Sequence, residues 1–405
     1  MSCNTQTGSK SIPPASTAAT KKTYAEDLSF FKKHGGSIIE LQSADGHAKV
    51  LLSPDYQGRV ITSSASGDSG SSFGWINYSL LESGVKKKQF NPIGGEERFW
   101  LGPEGGQYSL YFKAGDSFNI AHWQVPAMID TEKYTVVSSD ANHAVFSKTA
   151  SFQNYSGTQF DILISRSIRL LQTVDAAALL KTSLPAGVQM VAYETENQVQ
   201  NTGKADWSSD KGLLSIWLLG MFTPSPKTVV MIPFQKLAAN SAVAAGTIPE
   251  RKYITDNYFG SIPEDRLQVK DSVLFFTADG KYRSKIGLSP LIAKPMAASF
   301  DFENNVLTIL IPSVSPNAPY VNSKWEMQKE PYKGDVINAY NDGPLADGTQ
   351  MGPFYEIESS SPALLLKKGQ SGTYRQSTFH LQGDYPALKQ ITLELLGVNL
   401  DAIKK

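Results

Sequence analysis

Residues 352–378 read GPFYEIESSSPALLLKKGQSGTYRQST, and this stretch decides the fold class. Short runs rich in β-branched and aromatic residues alternate here with Gly, Pro and Ser, which is the pattern of β-strands separated by turns. Successive side chains of a strand point to opposite faces, so Glu356 and Glu358 share one face and Ile357 lies on the other. The stretch therefore predicts two strands, one of which carries paired carboxylates.

The same rhythm extends through the rest of the chain, and helical patterns are limited to Tyr24–His34 and Pro386–Ile391. Hairpin signals occur at Thr277–Gly280 and Glu303–Asn305. Many antiparallel strands without a Pro-, Gly- or Ser-rich break predict an all-β fold, one large sandwich over residues 24–405. Besides 354–359 and 372–381, the predicted strands are Ser37–Leu41, His47–Leu52, Arg59–Ser63, Lys133–Val137, Ala144–Thr149, Thr158–Leu170, Val191–Val199, Thr228–Ile232, Ser272–Thr277, Ala297–Phe302 and Val306–Pro312.

Composition excludes several classes of function. Lys and Arg (38) balance Asp and Glu (38), so the chain has no net field that would attract nucleic acid or an anionic membrane surface. Its single cysteine, Cys3, forms neither a disulfide framework nor a zinc site. Dinucleotide, phosphate-loop and zinc-protease motifs are absent, so we expect no metal or cofactor, and a neutral or weakly charged ligand.

The first residues, Met1–Thr23, are polar and predict a flexible tether. A cysteine at the head of such a tether resembles the start of a mature bacterial lipoprotein, in which that cysteine is acylated. This resemblance implies a lipid anchor through Cys3 and a periplasmic or outer-surface location, with no signal segment in the chain itself. The alternative is an incidental cysteine on a disordered tail.

Several stretches resemble the aldose 1-epimerase superfamily, whose fold is the galactose mutarotase-like β-supersandwich. Asp45–Val60 is similar to its opening hairpin, and Val191–Trp207 to its long strand that ends in an Asn-Thr-Gly turn. Glu356–Ala363 followed by Leu366–Thr378 is similar to the strand, Pro segment and turn that close the sheet. The resemblance implies a carbohydrate ligand and assigns Glu358 the position of the catalytic general base.

Two details of this resemblance concern turns. Asn201 and Gly203 are expected to take left-handed conformations in the Asn-Thr-Gly turn. The segment Gly94–Gly106 resembles more closely an uncharacterised branch of the superfamily, secreted bacterial proteins of unknown function. That branch implies a fold and not an activity.

Groups that recognise sugars concentrate first in Gly94–Gly106, which we expect to be a loop. Sugars are bound by carboxylates, amides and arginine at their hydroxyls, and by aromatic rings under their C–H faces. The predicted ligand contacts in this loop are Glu97, Arg98, Trp100 and Glu104. The alternative is a loop scaffold in which Arg98 pairs with a neighbouring carboxylate.

The second concentration lies in the 26 residues that end at Glu358. Asn338, Tyr340 and Asn341 are predicted substrate contacts, and Glu356 and Glu358 are the predicted catalytic pair. Two like charges near each other, once buried, raise at least one carboxyl pKa toward the range that suits proton transfer. The alternative is a solvated sheet edge followed by an ordinary turn.

Mutarotation needs a base for the anomeric hydroxyl and an acid for the ring oxygen. The resemblance implies a histidine as the acid, yet residues 213–222, where it would follow, contain none. Of the five histidines, His122 and His380 have neighbours that suggest partial burial, and His122 is a predicted substrate contact. Tyr340, Tyr355 or a protonated glutamate could also serve as the acid.

Three functions follow from the sequence. The first is an epimerase-type enzyme on a sugar or an oligosaccharide end, which the paired glutamates favour. The second is a non-catalytic carbohydrate-binding protein, which the missing histidine favours. The third is a polysaccharide lyase or glycoside hydrolase built on the same sandwich.

Overall fold

The computed structural model describes residues 22–236 and 249–404. Cys3, and with it the predicted lipid anchor and nearly all of the predicted tether, lies outside the described residues. Thr23, which the sequence placed in the tether, belongs to the fold because its side chain accepts from Glu26 N and caps the first helix. No helix of the described part is both long and apolar enough to cross a membrane.

Four α-helices occur in the described residues, and the two outermost confirm the sequence prediction. The helices are α1 Tyr24–His34, α2 Tyr78–Ser83, α3 Thr173–Leu180 and α4 Tyr385–Leu396. The first nine strands are β1 Ile39–Gln42, β2 Lys49–Ser53, β3 Arg59–Ser64, β4 Arg98–Gly102, β5 Thr135–Ser139, β6 His143–Gln153, β7 Gln159–Leu170, β8 Gln189–Asn201 and β9 Ser215–Phe222. The remaining strands are β10 Thr228–Pro233, β11 Ile254–Thr255, β12 Leu267–Lys270, β13 Val273–Thr277, β14 Ser284–Leu288, β15 Ala297–Asp301, β16 Val306–Pro312, β17 Ile337–Asn341, β18 Tyr355–Ser360 and β19 Ser371–Gln382.

The strands form three sheets, and their pairings are antiparallel. The largest sheet has ten strands in the order β12-β13-β10-β15-β16-β19-β8-β7-β6-β5. A six-stranded sheet runs β11-β14-β17-β18-β9-β4, and a three-stranded sheet joins β1, β2 and β3. The all-β, antiparallel fold class with few short helices is thus confirmed.

Apolar side chains hold the six-stranded sheet against the ten-stranded one. Ile357 of β18 and Ile286 of β14 share a buried cluster with Phe276 of β13 and Leu310 of β16. Leu388 of α4 and other helical residues cover the outer face of the ten-stranded sheet. One face of the six-stranded sheet is therefore core, and its opposite face, the outer face, lies away from the partner sheet.

Three local predictions were wrong. The turn at Thr277–Gly280 joins β13 to β14, which lie in different sheets, so it is a crossover and not a hairpin. Arg98–Gly102 is a strand inside the predicted loop, because it pairs with β9. Asn201 and Gly203 do not take left-handed conformations. The Asn201 side chain makes the turn instead, accepting from Gly203 N at 3.0 Å and donating to Ala205 O at 2.9 Å.

Candidate active site

The register of the six-stranded sheet assembles a row of charged side chains on its outer face. Arg98 of β4 lies opposite Leu219 of β9, which lies opposite Glu358 of β18. Glu356 lies opposite Tyr340 of β17, which lies opposite Lys285 of β14. Because directly opposed residues share a face, Arg98, Lys285, Glu356 and Glu358 come together with Trp217, and we call these five residues the outer-face cluster.

Glu358 is the centre of this cluster. Its Oε2 accepts hydrogen bonds from Trp217 Nε1 at 3.0 Å and from Lys285 Nζ at 2.9 Å. Its Oε1 is buried and has no hydrogen-bond partner among the described residues. The residue is 0% exposed. Glu358 is therefore a charge-compensated carboxylate with one oxygen still available to accept a proton.

Glu356 stands two residues away on the same face and pairs with Arg98 Nη2 through its Oε1. Burial raises the pKa of Glu356 to about 7, with Arg98 acting against the rise and Glu358 adding to it. A carboxyl with this pKa exists in both protonation states near neutral pH. The cluster thus places a carboxyl group that can donate a proton beside one that has a free oxygen.

Two further charges adjoin the pair. Burial raises the pKa of Glu104, in the loop after β4, to about 7, while Lys285 lowers it and Glu358 raises it further. Burial lowers the pKa of Lys285, but the carboxylates of Glu358 and Glu104 more than offset this, so its pKa is raised. Lys285 therefore stays cationic beside the Glu358 carboxyl group.

Aromatic rings surround these charges. Trp100 and Trp217 meet edge to face with ring centroids 5.5 Å apart, and the Arg98 guanidinium lies 4.8 Å from the Trp100 ring centroid. On the Glu356 side, Trp75 and Phe354 pack at 4.7 Å. Such rings offer apolar faces to the C–H surface of a sugar.

Several buried polar atoms around the cluster lack partners. They are Arg98 Nε and Trp100 Nε1, besides Glu358 Oε1. Leaving a buried donor or acceptor unpaired costs about 1–3 kcal/mol, so each such group calls for an explanation. These three atoms are free to bond a polar ligand.

The structure gives Glu97 a different place from the one predicted. Its carboxylate is 0% exposed between the sheets, where Oε1 accepts from Arg166 Nη2 at 2.8 Å and Oε2 from Gln376 Nε2 at 2.9 Å. Glu97 alternates with Arg98 along the chain, so the two point to opposite faces of the sheet. Both carboxylate oxygens of Glu97 are thus occupied by hydrogen bonds within the core, and its role is structural.

His380 is likewise part of the core. Its Nε2 lies 3.1 Å from Glu96 Oε2, its Nδ1 lies 2.9 Å from Thr308 Oγ1, and its ring stacks on Phe73 at 4.5 Å. Every one of these groups lies between the sheets, and none touches the outer-face cluster. His380 cannot supply the missing acid from this position.

The other predicted contacts divide between the two faces. Asn338 and Tyr340 lie on the outer face; Asn338 Nδ2 donates to Tyr258 OH at 3.3 Å, and Tyr340 OH donates to Asp342 Oδ1 at 2.8 Å. Asn341 lies on the inner face, where it accepts from Gly280 N at 2.8 Å and holds the crossover turn. His122 is exposed, with Nδ1 3.2 Å from Ser117 O, and does not contact the paired glutamates.

Sequence reasoning missed Lys285, Trp217 and Tyr258. Tyr258 OH donates to Asp335 Oδ2 at 2.7 Å, and its ring centroid is 5.6 Å from Lys285 Nζ, so it covers the Lys285–Glu358 pair. The sequence SKIGL at 284–288 could have indicated Lys285, because the apolar Ile286 and Leu288 share one strand face and leave Lys285 on the other. No group of three His, Cys, Asp or Glu residues suited to a metal ion occurs in residues 22–236 and 249–404.

Comparison with known proteins gives a family and a set of similar structures. The profile described as "Family of unknown function (DUF6786)" matches residues 22–405. No curated protein matches the chain.

Three solved structures illustrate the likeness. A putative aldose 1-epimerase from Escherichia coli K12 is 14% identical, with 86% of this chain and 99% of that one covered and a TM-score of 0.48. One from Klebsiella pneumoniae is 13% identical, with coverage of 89% and 83% and a TM-score of 0.49. A galactose mutarotase-like protein from Lactobacillus casei is 11% identical, with coverage of 85% and 100% and a TM-score of 0.46.

Proposed function

The chain belongs to the DUF6786 family, whose function is unknown, and we propose that it binds a carbohydrate at the outer-face cluster and exchanges the anomers of that sugar. One observation carries the proposal. Glu358 keeps a buried, unpartnered Oε1 beside Glu356, a carboxyl whose pKa burial raises to about 7. A base and an acid thus lie side by side.

Glu358 is the base in this proposal. Its Oε1 takes the proton of the anomeric hydroxyl while the bond between the anomeric carbon and the ring oxygen breaks. Lys285 and Trp217, both bonded to Oε2, hold the carboxyl group in place. The free aldehyde then turns about its bond to the neighbouring carbon, and the reverse steps close the ring to either anomer.

Glu356 is the acid. In its protonated form it gives a proton to the ring oxygen as the ring opens and recovers that proton as the ring closes. Arg98 holds its Oε1, so the proton is carried on Oε2. A general acid works best when its pKa lies near the working pH, and a pKa of about 7 meets this condition.

Entry of a sugar requires the segment with Tyr258, which lies over the outer-face cluster, to move. Glu358 is 0% exposed and Glu356 is 7% exposed, and Tyr258 lies above the Lys285–Glu358 pair. Tyr258 is held by the Asp335 and Asn338 side chains, and its neighbour Phe259 is 43% exposed. We propose that the segment with Tyr258 and Phe259 opens to admit the ligand.

A non-catalytic carbohydrate-binding protein is the second candidate. It is favoured by β9, whose outer face carries Trp217, Leu219 and Met221 where the superfamily resemblance implied a histidine. In that case the same cluster would recognise a sugar without moving its protons.

Nuclear magnetic resonance exchange spectroscopy of free sugars tests the proposal. Wild-type protein, Glu358→Gln and Glu303→Gln are each added to a panel of hexoses, pentoses, uronic acids and short oligosaccharides. Glu303 is the matched control, an exposed carboxylate in the β15–β16 hairpin. Faster exchange between anomers with wild type and Glu303→Gln, and not with Glu358→Gln, is the expected result.

Two other results would count against the enzymatic proposal. Saturation transfer from the protein to a sugar, without faster exchange, would leave the binding protein as the function. Exchange that survives in Glu358→Gln would remove Glu358 from the role of base.

A further inference from the structure

A second concave surface lies beside the outer-face cluster and has not been assigned a role. It is a cavity of about 470 Å³ lined among others by Lys88, Gln89, His122, Trp123 and Gln124, and we call it the Trp123 cavity. Resting on the proposed function, we infer that this cavity is a subsite for the next unit of a saccharide chain, and that it takes a unit carrying a negative charge.

Hydrogen bonds hold the lining segments of the cavity in place. Gln89 Nε2 donates to the carbonyls of Ile120 and of Trp123, the latter at 3.0 Å, and Val125 N donates to Gln89 O at 2.9 Å. Gln124 N is bonded to Tyr111 O at 2.9 Å. These bonds tie the segment before Phe90 to the segment around Trp123, so the concave shape exists before any ligand arrives.

The charge of the cavity is positive. Its lining residues include Lys88 and no carboxylate. Lys88 ends a run of three exposed lysines, 86–88, and among the described residues none of the three forms a salt bridge. The zero net charge of the whole chain therefore hides a local basic patch, which attracts anions over roughly 8 Å at physiological salt.

One layer of aromatic rings joins this cavity to the cluster. The Trp123 ring centroid lies 5.5 Å from that of Phe90 and 5.9 Å from that of Trp325. Phe90 in turn lies 5.6 Å from Trp100 and 5.9 Å from the Arg98 guanidinium. On this inference, a saccharide with its reducing end at Glu358 extends along this layer into the cavity, where Gln89 and Gln124 line the space for its hydroxyls.

Titration calorimetry with three trisaccharides tests the inference: tri-galacturonate, its methyl ester and sulfated maltotriose. The ester keeps the sugar and removes the charge, and the sulfate distinguishes any anion from a carboxylate. The variants are Lys88→Glu and, as the matched control, Lys270→Glu on the exposed edge strand β12. Each titration is repeated at high salt.

We expect wild type to bind tri-galacturonate about fivefold more tightly than the ester, the size of one exposed charge pair. The difference should vanish in Lys88→Glu and at high salt, and persist in Lys270→Glu. Equal binding of tri-galacturonate and sulfated maltotriose would make the site one for anionic sugars in general, and a preference for the carboxylate would narrow it to uronic acids.

Equal affinity of wild type for tri-galacturonate and its ester, or no binding of any trisaccharide, would overturn the inference. The anomer exchange of monosaccharides is measured separately and decides the proposed function. Charge-dependent binding without exchange would support the cavity and contradict the epimerase. Exchange without charge-dependent binding would support the epimerase and contradict the cavity.

Discussion

Two buried arginine–glutamate pairs lie on opposite faces of the same sheet, and they differ in how completely they are bonded. Between the sheets, Glu97 has partners on both oxygens, and Arg166 donates to Glu97, Asn197 and Gly58 O. On the outer face, Arg98 Nε has no partner, and Glu358 Oε1, beside the Arg98–Glu356 pair, has none either. Both pairs are buried, but the hydrogen bonds are complete only around the glutamate between the sheets.

On the proposed function, this difference separates the charges that hold the fold from those that bind the ligand. A buried pair whose hydrogen bonds are complete fixes the packing of its surroundings and offers nothing to a ligand. A buried group with free hydrogen-bonding capacity is unfavourable in the empty protein and becomes favourable once a polar ligand fills it. The outer-face cluster belongs to the second kind, and the Arg166–Glu97 pair to the first.

The largest effect is expected from breaking the inner pair. Arg166→Met leaves the Glu97 carboxylate buried without its cation, which should lower the free energy of unfolding by about 3–5 kcal/mol. Urea unfolding followed by circular dichroism measures this. A loss below about 1 kcal/mol would show that Glu97 is not held as the structure indicates.

Glu358→Gln should act more on activity than on stability. The amide keeps the shape and cannot take a proton, so anomer exchange should slow by about a hundredfold. The free energy of unfolding should fall by less than in Arg166→Met, because Glu104 and Glu356 remain near Lys285 and offset its charge. Exchange spectroscopy and urea unfolding of the same preparation check both. A stability loss as large as that of Arg166→Met would remove the distinction between the two faces.

The pH profile distinguishes the two carboxyls of raised pKa. If protonated Glu356 is the acid, kcat/KM falls as pH rises through about 7, because the carboxyl loses its proton there. Glu356→Gln should lower the rate about tenfold or more and abolish this fall. Glu104→Gln, which removes the other carboxyl with a pKa of about 7, should retain it. A fall that disappears only in Glu104→Gln would make Glu104 the acid.

The smallest effect is expected from a substitution of Tyr258, the residue that lies over the Lys285–Glu358 pair. Tyr258→Phe removes the hydroxyl that bonds Asp335 and Asn338 and keeps the ring. Losing about 1 kcal/mol of hydrogen bonding should open the segment more often and raise the association rate constant for sugar a few-fold. Stopped-flow fluorescence with the best ligand of the panel measures this rate. An unchanged rate would show that Tyr258 does not control entry.

The two sheets also differ in how well the sequence predicts them. Nearly all strands of the ten-stranded sheet were predicted, because they are long and rich in β-branched residues, as in Thr158–Leu170. Of the six-stranded sheet only β18 was predicted. Strand β11 has only two residues, β9 is an apolar run without alternation, and β4, β14 and β17 carry Arg98, Lys285 and Asn338. Residues that build the candidate site thus weakened the pattern of three of these strands.

The candidate site was predicted in part for a similar reason. Alternation alone placed Glu356 and Glu358 on one face, and the structure agrees. Lys285 lies 73 residues from Glu358, and Arg98 lies 258 residues from Glu356, so only the strand order brings these partners together. Glu97 and Arg98 are neighbours in sequence, but only the pairing of β4 with β9 decides which of them faces the ligand.

The most direct test of the central claim is a crystal structure of the wild-type protein with the sugar of the panel that binds most tightly. The account predicts that the anomeric oxygen lies within about 3 Å of Glu358 Oε1 and the ring oxygen within the same distance of Glu356, with Tyr258 displaced. An ordered sugar that contacts neither glutamate, while Oε1 stays unpartnered, would contradict the claim that the outer-face cluster is the site.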